Sequence, residues 1–173
     1  MLINIIKKIV IVTLAILFTS GISYGQMTSI SSGEKWFAEN KDVLFSLNHL
    51  LLNHHAIWRV DPGVDLQFVQ KYGDFSLSDT NAYKNVESIC VAAGIKNIEV
   101  ARVNADPNGE LIHIRYIIES KGNLVSGGSF LSISFVPNDH FLKVLEVPGI
   151  TFKSLNSEGW YVFLYRDIPG QST

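Results

Sequence analysis

Between Glu110 and Ser120 the chain reads ELIHIRYIIES, and this stretch restricts the possible folds more than any other. Ile112, Ile114, Tyr116 and Ile118 fall on one side of an extended chain, while His113, Arg115 and Glu119 fall on the other. A period of two is the pattern of a half-buried β-strand, with one face toward a core and one away from it. After a Lys121-Gly122-Asn123 break, LVSGGSFLSISFV continues to Val136 with the same alternation in Leu131, Ile133 and Phe135 against Ser132 and Ser134. The other segments are then read as what pairs with these strands or packs on them.

Turn chemistry on either side suggests a register. Asp106-Pro107-Asn108-Gly109 suits a three-residue hairpin loop with a glycine bulge, because Pro fixes φ at the first position and Gly takes the left-handed third. That loop sets Val100 opposite Tyr116, Ile98 opposite Ile118, and Arg102 opposite Ile114, the one polar residue on the apolar face. A two-residue Lys121-Gly122 loop sets Tyr116 opposite Gly127 and Ile112 opposite Leu131, with a bulge or bend expected at Gly127-Gly128. Both registers gather Glu99, His113, Arg115, Phe130, Ser132 and Ser134 on the face turned away from the isoleucines.

The first half of the mature chain is helical in pattern. Trp36, Phe37, Val43, Leu44, Leu47, Leu50 and Leu51 recur at helical spacing, which predicts an amphipathic helix from Glu34 to about Asn53, with Ser31 and Glu34 as a capping box. A second helix is expected from a cap at Ser78 or Asp79 to Ala93, ended by Gly94. Ala56–Val60 is short and β-prone, Ile150–Ser154 and Trp160–Arg166 read as a closing hairpin, and periodicity leaves 64–72 and 140–147 undecided between helix and strand. WYVFLYR is apolar on both sides, so its strand is expected to be central or covered on each face. Helices followed by strands give an α+β class: two N-terminal helices on a four- to five-stranded, mainly antiparallel sheet. The expected organisation is a signal peptide over 1–25, a tether over 26–33, one domain over 34–168 and a frayed tail over 169–173.

The first 25 residues are expected to direct export. Lys7 and Lys8 precede an apolar run from Ile9 to Phe18, and Ser23 and Gly25 provide a small-residue exit before Gln26. The run is shorter than the roughly 20 residues of a membrane span, so a cleaved leader is preferred to a retained anchor, and periplasmic or secreted residence follows. Roughly 150 residues remain, a usual length for one domain. Without Lys7 and Lys8 the 14 basic residues become 12, against 16 acidic ones, for a net charge of −4. No basic patch stands out that would bind nucleic acid by counterion release. Cys90 is the sole cysteine, which excludes an intramolecular disulfide, and its apolar neighbours Val86, Ile89 and Ala93 suggest a buried, inert thiol.

Candidate chemistry is sparse. His49, His54 and His55 are spaced five and six residues apart, which sets His49 well away from the others around a helix and argues against a metal site. Asp61, Asp65, Asp74 and Asp79 do not match a calcium loop, and read as solvated turn carboxylates. A Ser–His pair on the strand face would need a tight strand-to-helix turn to expose its nucleophile, and none is evident. No metal and no cofactor is therefore expected. Glu99 with Arg115 reads as a cross-strand ion pair, and a face carrying Arg, His and Phe is of a kind that binds protein. The sequence points first to an exported, non-enzymatic binding module engaging another protein in the cell envelope or outside the cell, inhibitor- or immunity-like. Two alternatives are a small-ligand carrier, with Trp36, Trp58, Trp160, Tyr161 and Tyr165 lining a pocket between helix 1 and the sheet, and a small His113-dependent hydrolase.

Overall fold

The longest element, helix α1 (Ile30–Asn53), takes its course from the spacing of its apolar residues. The computed structural model describes residues 29–66, 74–123 and 127–166. The leader, residues 67–72 of the ambiguous 64–72 stretch, residues 124–126 and the C-terminal tail lie outside the described residues. Trp36, Phe37, Leu44, Leu47 and Leu51 are buried along one stripe of α1, as the spacing predicts. Its cap is Ser29, whose Oγ accepts from the Ser32 N–H at 3.2 Å, rather than a Ser31–Glu34 box. The earlier start takes Gly33 into the helix on its buried side.

Helix α2 (Leu77–Ala93) begins on a reciprocal capping box between Ser76 and Asp79, and stops at Gly94 in the left-handed region (φ 71°). Cys90 is fully buried on its inner face, where burial chiefly, with the nearby Glu87 carboxylate, pushes the thiol up to about 12. Such a thiol stays protonated and unreactive at neutral pH.

Six antiparallel strands form one sheet: β1 (Arg59–Val60), β2 (Asn97–Arg102), β3 (Leu111–Asn123), β4 (Gly127–Phe135), β5 (Ile150–Ser154) and β6 (Trp160–Arg166), in the spatial order β1-β2-β3-β4-β6-β5. The class is α+β, with the helices first and one strand more than the sequence suggests. β1 is two residues at the end of the β-prone Ala56–Val60 segment, and it pairs Arg59 with Glu99 and Val60 with Ile98. β6 lies between β4 and β5, which explains why its sequence is apolar on both sides. The undecided 140–147 stretch is a 3-10 turn (Asp139–Phe141) followed by the single turn α3 (Leu142–Leu145).

Both inter-strand registers differ from the turn-based expectation. β2 pairs Ile98 with Tyr116 and Val100 with Ile114, a shift of two residues. The cause is the connection. Val103–Ala105 forms its own 3-10 turn ahead of the Asp106–Gly109 turn, with Asn104 and Ala105 at positive φ (59° and 51°), so the loop is longer than three residues. β3 continues through Asn123 and pairs Tyr116 with Ile133 instead of Gly127, a shift of six. Gly127 and Gly128 therefore close the hairpin end, and the bulge falls in β3, where Ile118 is the extra residue between Ile117 and Glu119. At the β2–β3 irregularity, Leu111 enters the helix-side core, while Ile112 packs on the opposite side.

The sheet divides the apolar residues into two layers. On the helix side, Ile98, Val100, Ile114, Tyr116, Leu131, Ile133, Trp160 and Val162 meet α1 and α2 in the main core. Within it the Tyr116 hydroxyl donates to Asn48 Oδ1 at 3.1 Å, which satisfies two buried polar groups at once. Because β6 separates β4 from β5, the chain from Val136 to Gly149 must cross a face of the sheet, and it crosses the far one. There Val136, Phe141, Tyr161 and Phe163 form a second cluster with Leu142, Leu145, Ile150 and Phe152 packed against it.

Gly33 sets how closely α1 approaches the sheet. A Cβ at this position would overlap Val162 Cγ2 and lie 3.4 Å from Leu131 Cδ1, both on fully or nearly fully buried residues of central strands. Gly33→Ala should therefore lose about 1–2 kcal/mol despite alanine's better helix propensity, since overpacking outweighs that gain. Urea unfolding checks the sign. A stabilised variant would mean that α1 can ride outward without loss.

Candidate functional site

The far face of the sheet carries all six residues singled out from the sequence, because the side on which a strand residue points survives an even register shift. The structure pairs Glu99 with Arg115, Arg115 with Ser134, and Ile117 with Ser132. His113 stands opposite Ala101, and Phe130 opposite both Ser120 and Tyr165. The six thus lie on three adjacent strands, yet they divide into two groups by burial.

Glu99, Arg115 and Phe130 are partly exposed and belong to a continuous polar-aromatic line. Arg115 Nη1 donates to Glu99 Oε2 at 3.2 Å, and Arg59 Nη1 to the other oxygen at 3.4 Å. Arg59 Nε also donates to Asp61 Oδ2 at 2.6 Å. The Arg115 guanidinium lies 5.7 Å from the Phe130 ring centroid, and Phe130 stacks on Tyr165 at 5.0 Å with planes 14° apart. The line therefore runs Asp61, Arg59, Glu99, Arg115, Phe130, Tyr165 over five strands. Sequence reasoning places none of Arg59, Asp61 and Tyr165 on this face: Asp61 reads there as a turn carboxylate and Tyr165 as a pocket-lining aromatic. The place of β1 beside β2 and of β6 beside β4, which brings them in, comes from tertiary pairing and not from local pattern.

His113, Ser132 and Ser134 are buried instead, at 8, 0 and 1 % exposure. Among the described residues, His113 Nδ1, Ser132 Oγ and Ser134 Oγ have no hydrogen-bond partner. Burial, reinforced by the Arg115 charge, lowers the His113 imidazole to about 3, so it is neutral throughout the physiological range. Arg115 is itself lowered by burial, against the opposing pull of Glu99. At the covered end the Tyr161 hydroxyl donates to Asp139 Oδ1 at 2.7 Å, tying the crossing segment to β6; burial and that carboxylate push the phenol up to about 12.

This arrangement sets limits on its chemistry. A histidine held neutral down to about 3 is a weak proton acceptor at neutral pH, and neither serine hydroxyl is bonded to it. A nucleophile–base pair therefore has no geometric support here. The aromatics considered for a pocket are divided by the sheet: Trp36 and Trp160 lie in the helix-side core, Tyr161 in the far-side cluster, and Trp58 is partly exposed. Around Trp160 the rings of Phe37, Phe45, Phe135 and Tyr116 lie at centroid distances of 5.5, 5.4, 5.4 and 5.9 Å, so they pack on one another. Of the helix-end histidines, His54 Nδ1 pairs with Asp79 Oδ1 at 3.0 Å and joins the end of α1 to the start of α2. Among the described residues no group of His, Cys, Asp or Glu could hold a metal ion, and no helix is long and apolar enough to cross a membrane.

No family model, curated protein or solved structure matches this chain. The functional reading therefore rests on the far face itself.

Proposed function

We propose that the chain is an exported, non-enzymatic binding module that engages another protein through the partly exposed line on the far face of its sheet. The observation that supports this reading is the Arg59–Glu99–Arg115–Phe130–Tyr165 continuity, with charges of both signs fixed by hydrogen bonds and aromatic rings set beside them. Arginine and aromatic residues are enriched at protein interfaces, and pre-ordered side chains lose little entropy on docking. The helices occupy the other side of the sheet, so a partner meets this face without disturbing the main core. Export rests on the basic, apolar and small-residue segments of the first 25 residues.

Differential capture tests the proposal. The wild-type protein, a Phe130→Ala/Glu99→Lys variant and a Lys84→Glu control on the exposed side of α2 serve as baits for an envelope fraction, after circular dichroism has shown all three to be folded. A partner should be retained by the wild type and by the control, and bound at least about ten-fold more weakly by the double variant, as expected for loss of a hot-spot side chain. Equal retention by all three baits would remove this face from the account.

A further inference from the structure

Strand β5 forms one edge of the sheet: among the described residues it has β6 on one side and no strand on the other. Two bonds at its ends set which of its backbone groups face outward. The Arg166 N–H donates to the Gly149 carbonyl at 2.8 Å, and the Leu155 N–H to the Trp160 carbonyl at 2.9 Å. Bonded residues alternate in an antiparallel ladder, so Thr151 and Lys153 also bond to β6. Ile150, Phe152 and Ser154 then turn their N–H and C=O groups away from the sheet. The Ile150 N–H donates back to the Val147 carbonyl at 3.1 Å. Among the described residues, the Ile150 carbonyl and both backbone groups of Phe152 and Ser154 have no backbone partner.

Exposed edges are usually blunted by brevity, proline, a bulge or a lysine. The opposite edge, β1, is two residues long and leads into Asp61-Pro62. β5 pairs with β6 without a bulge and contains no proline. Its one charged residue, Lys153, points to the helix side, where its Nζ lies 2.6 Å from Glu34 Oε1 on α1. A lysine matched by the chain's own carboxylate no longer presents a bare charge to an incoming strand.

We infer that β5 pairs with the β5 of a second copy of this chain, antiparallel about a two-fold axis normal to the sheet at Phe152. Phe152 is the centre of the five-residue strand, so the pairing is self-complementary. The two Phe152 residues exchange N–H···O bonds, and each Ser154 N–H donates to the other copy's Ile150 carbonyl. On the helix side Thr151 falls opposite Lys153, so like charges do not stand directly opposite. On the far side Phe152 meets Phe152. This extends an aromatic row in which Phe152 already packs on Phe163 at 5.2 Å and Tyr161 at 6.2 Å. Symmetry favours the same occupant. A two-fold contact uses both β5 edges and stops at a dimer, whereas a head-to-tail β5–β1 contact would grow into a filament and rest on two residues. The inference goes beyond the protein-binding reading and does not depend on it, because its backbone groups lie at the sheet edge and not in the polar-aromatic line.

Sedimentation velocity of the purified protein over a concentration series tests the pairing, and a monomer–dimer equilibrium is expected for the wild type. Ser154→Pro removes an outward N–H but leaves the bonds of Lys153 and Leu155 to β6, and an edge strand tolerates proline at such a position. This variant should dimerise at least about ten-fold more weakly, since each copy loses one bond. Ser154→Ala keeps the N–H and should dimerise like the wild type. Hydrogen exchange on the wild type decides the matter should Ser154→Pro not fold: the Phe152 and Ser154 amides should exchange more slowly in the dimer than in dilute monomer. A wild type that stays monomeric, a Ser154→Pro variant that dimerises as tightly, or exchange at these amides that is independent of concentration would overturn the proposal. Slowing of the two amides only on capture of another protein would assign the edge to a foreign strand and overturn it as well. Glu99 and Phe130 are untouched in these arms, so partner capture by the far face can succeed or fail separately.

Discussion

Replacing Trp160 with alanine is expected to cost about 3–5 kcal/mol, the range for deleting a fully packed large aromatic. Trp160 is 3 % exposed at the start of β6, and four aromatic rings from α1, β3 and β4 close on it. Its truncation removes the contact that α1 and three strands share, so relaxation from one side cannot fill the space. Since a domain of this size is stable by roughly 5–15 kcal/mol, the variant should be close to unfolding at room temperature. Leu77→Ala, at a position 78 % exposed, should stay within about 0.5 kcal/mol of the wild type. Chemical denaturation of both variants tests the assignment; comparable losses would mean that Trp160 does not anchor the core.

The second large effect is a pH dependence that belongs to His113. The imidazole is held at about 3 in the folded protein, against an ordinary value of 6.5. Below 6.5 the unfolded chain takes up a proton that the folded one refuses until about 3. Stability is therefore complete above 6.5 and falls as the pH drops through that window, by up to about 1.4 kcal/mol per unit. Carboxylates also titrate in acid, so the comparison is with His113→Gln, which lacks the group. Between pH 7 and pH 4 the wild type should lose roughly 3 kcal/mol more than the variant. Because the Arg115 charge adds to burial, Arg115→Gln should raise the imidazole pKa measured by NMR toward its ordinary value. Parallel pH profiles for wild type and His113→Gln would contradict the burial of this side chain.

The parts of the fold that local chemistry specifies were legible before the structure. The stripe of α1, the Gly94 stop of α2, the β5–β6 hairpin and the burial of WYVFLYR on both sides follow from periodicity and turn residues. Register was not legible. Alternation fixes which side a residue faces, but is blind to a shift of two or six, and Ala105 at positive φ carries no sequence signal. The same blindness explains why Glu99, His113, Arg115, Phe130, Ser132 and Ser134 were gathered on one face despite wrong registers. What could not be read is the burial of His113, Ser132 and Ser134. Part of the far face is covered because β6 inserts between β4 and β5 and forces Val136–Gly149 over the sheet, and strand order is a property of the whole chain. A polar side chain on an outward-pointing position therefore looked exposed when it was not.

The most direct test of the far face as a binding surface is hydroxyl-radical footprinting of the captured complex. Phe130 and Tyr165 stack on each other in the partly exposed line and are good reporters of contact. On addition of the partner both should be protected from labelling, while the exposed Leu77 and Val91 on α2 keep their reactivity. Protection of Leu77 and Val91, with Phe130 and Tyr165 labelled as in the free protein, would place the interface on the helices and contradict the account.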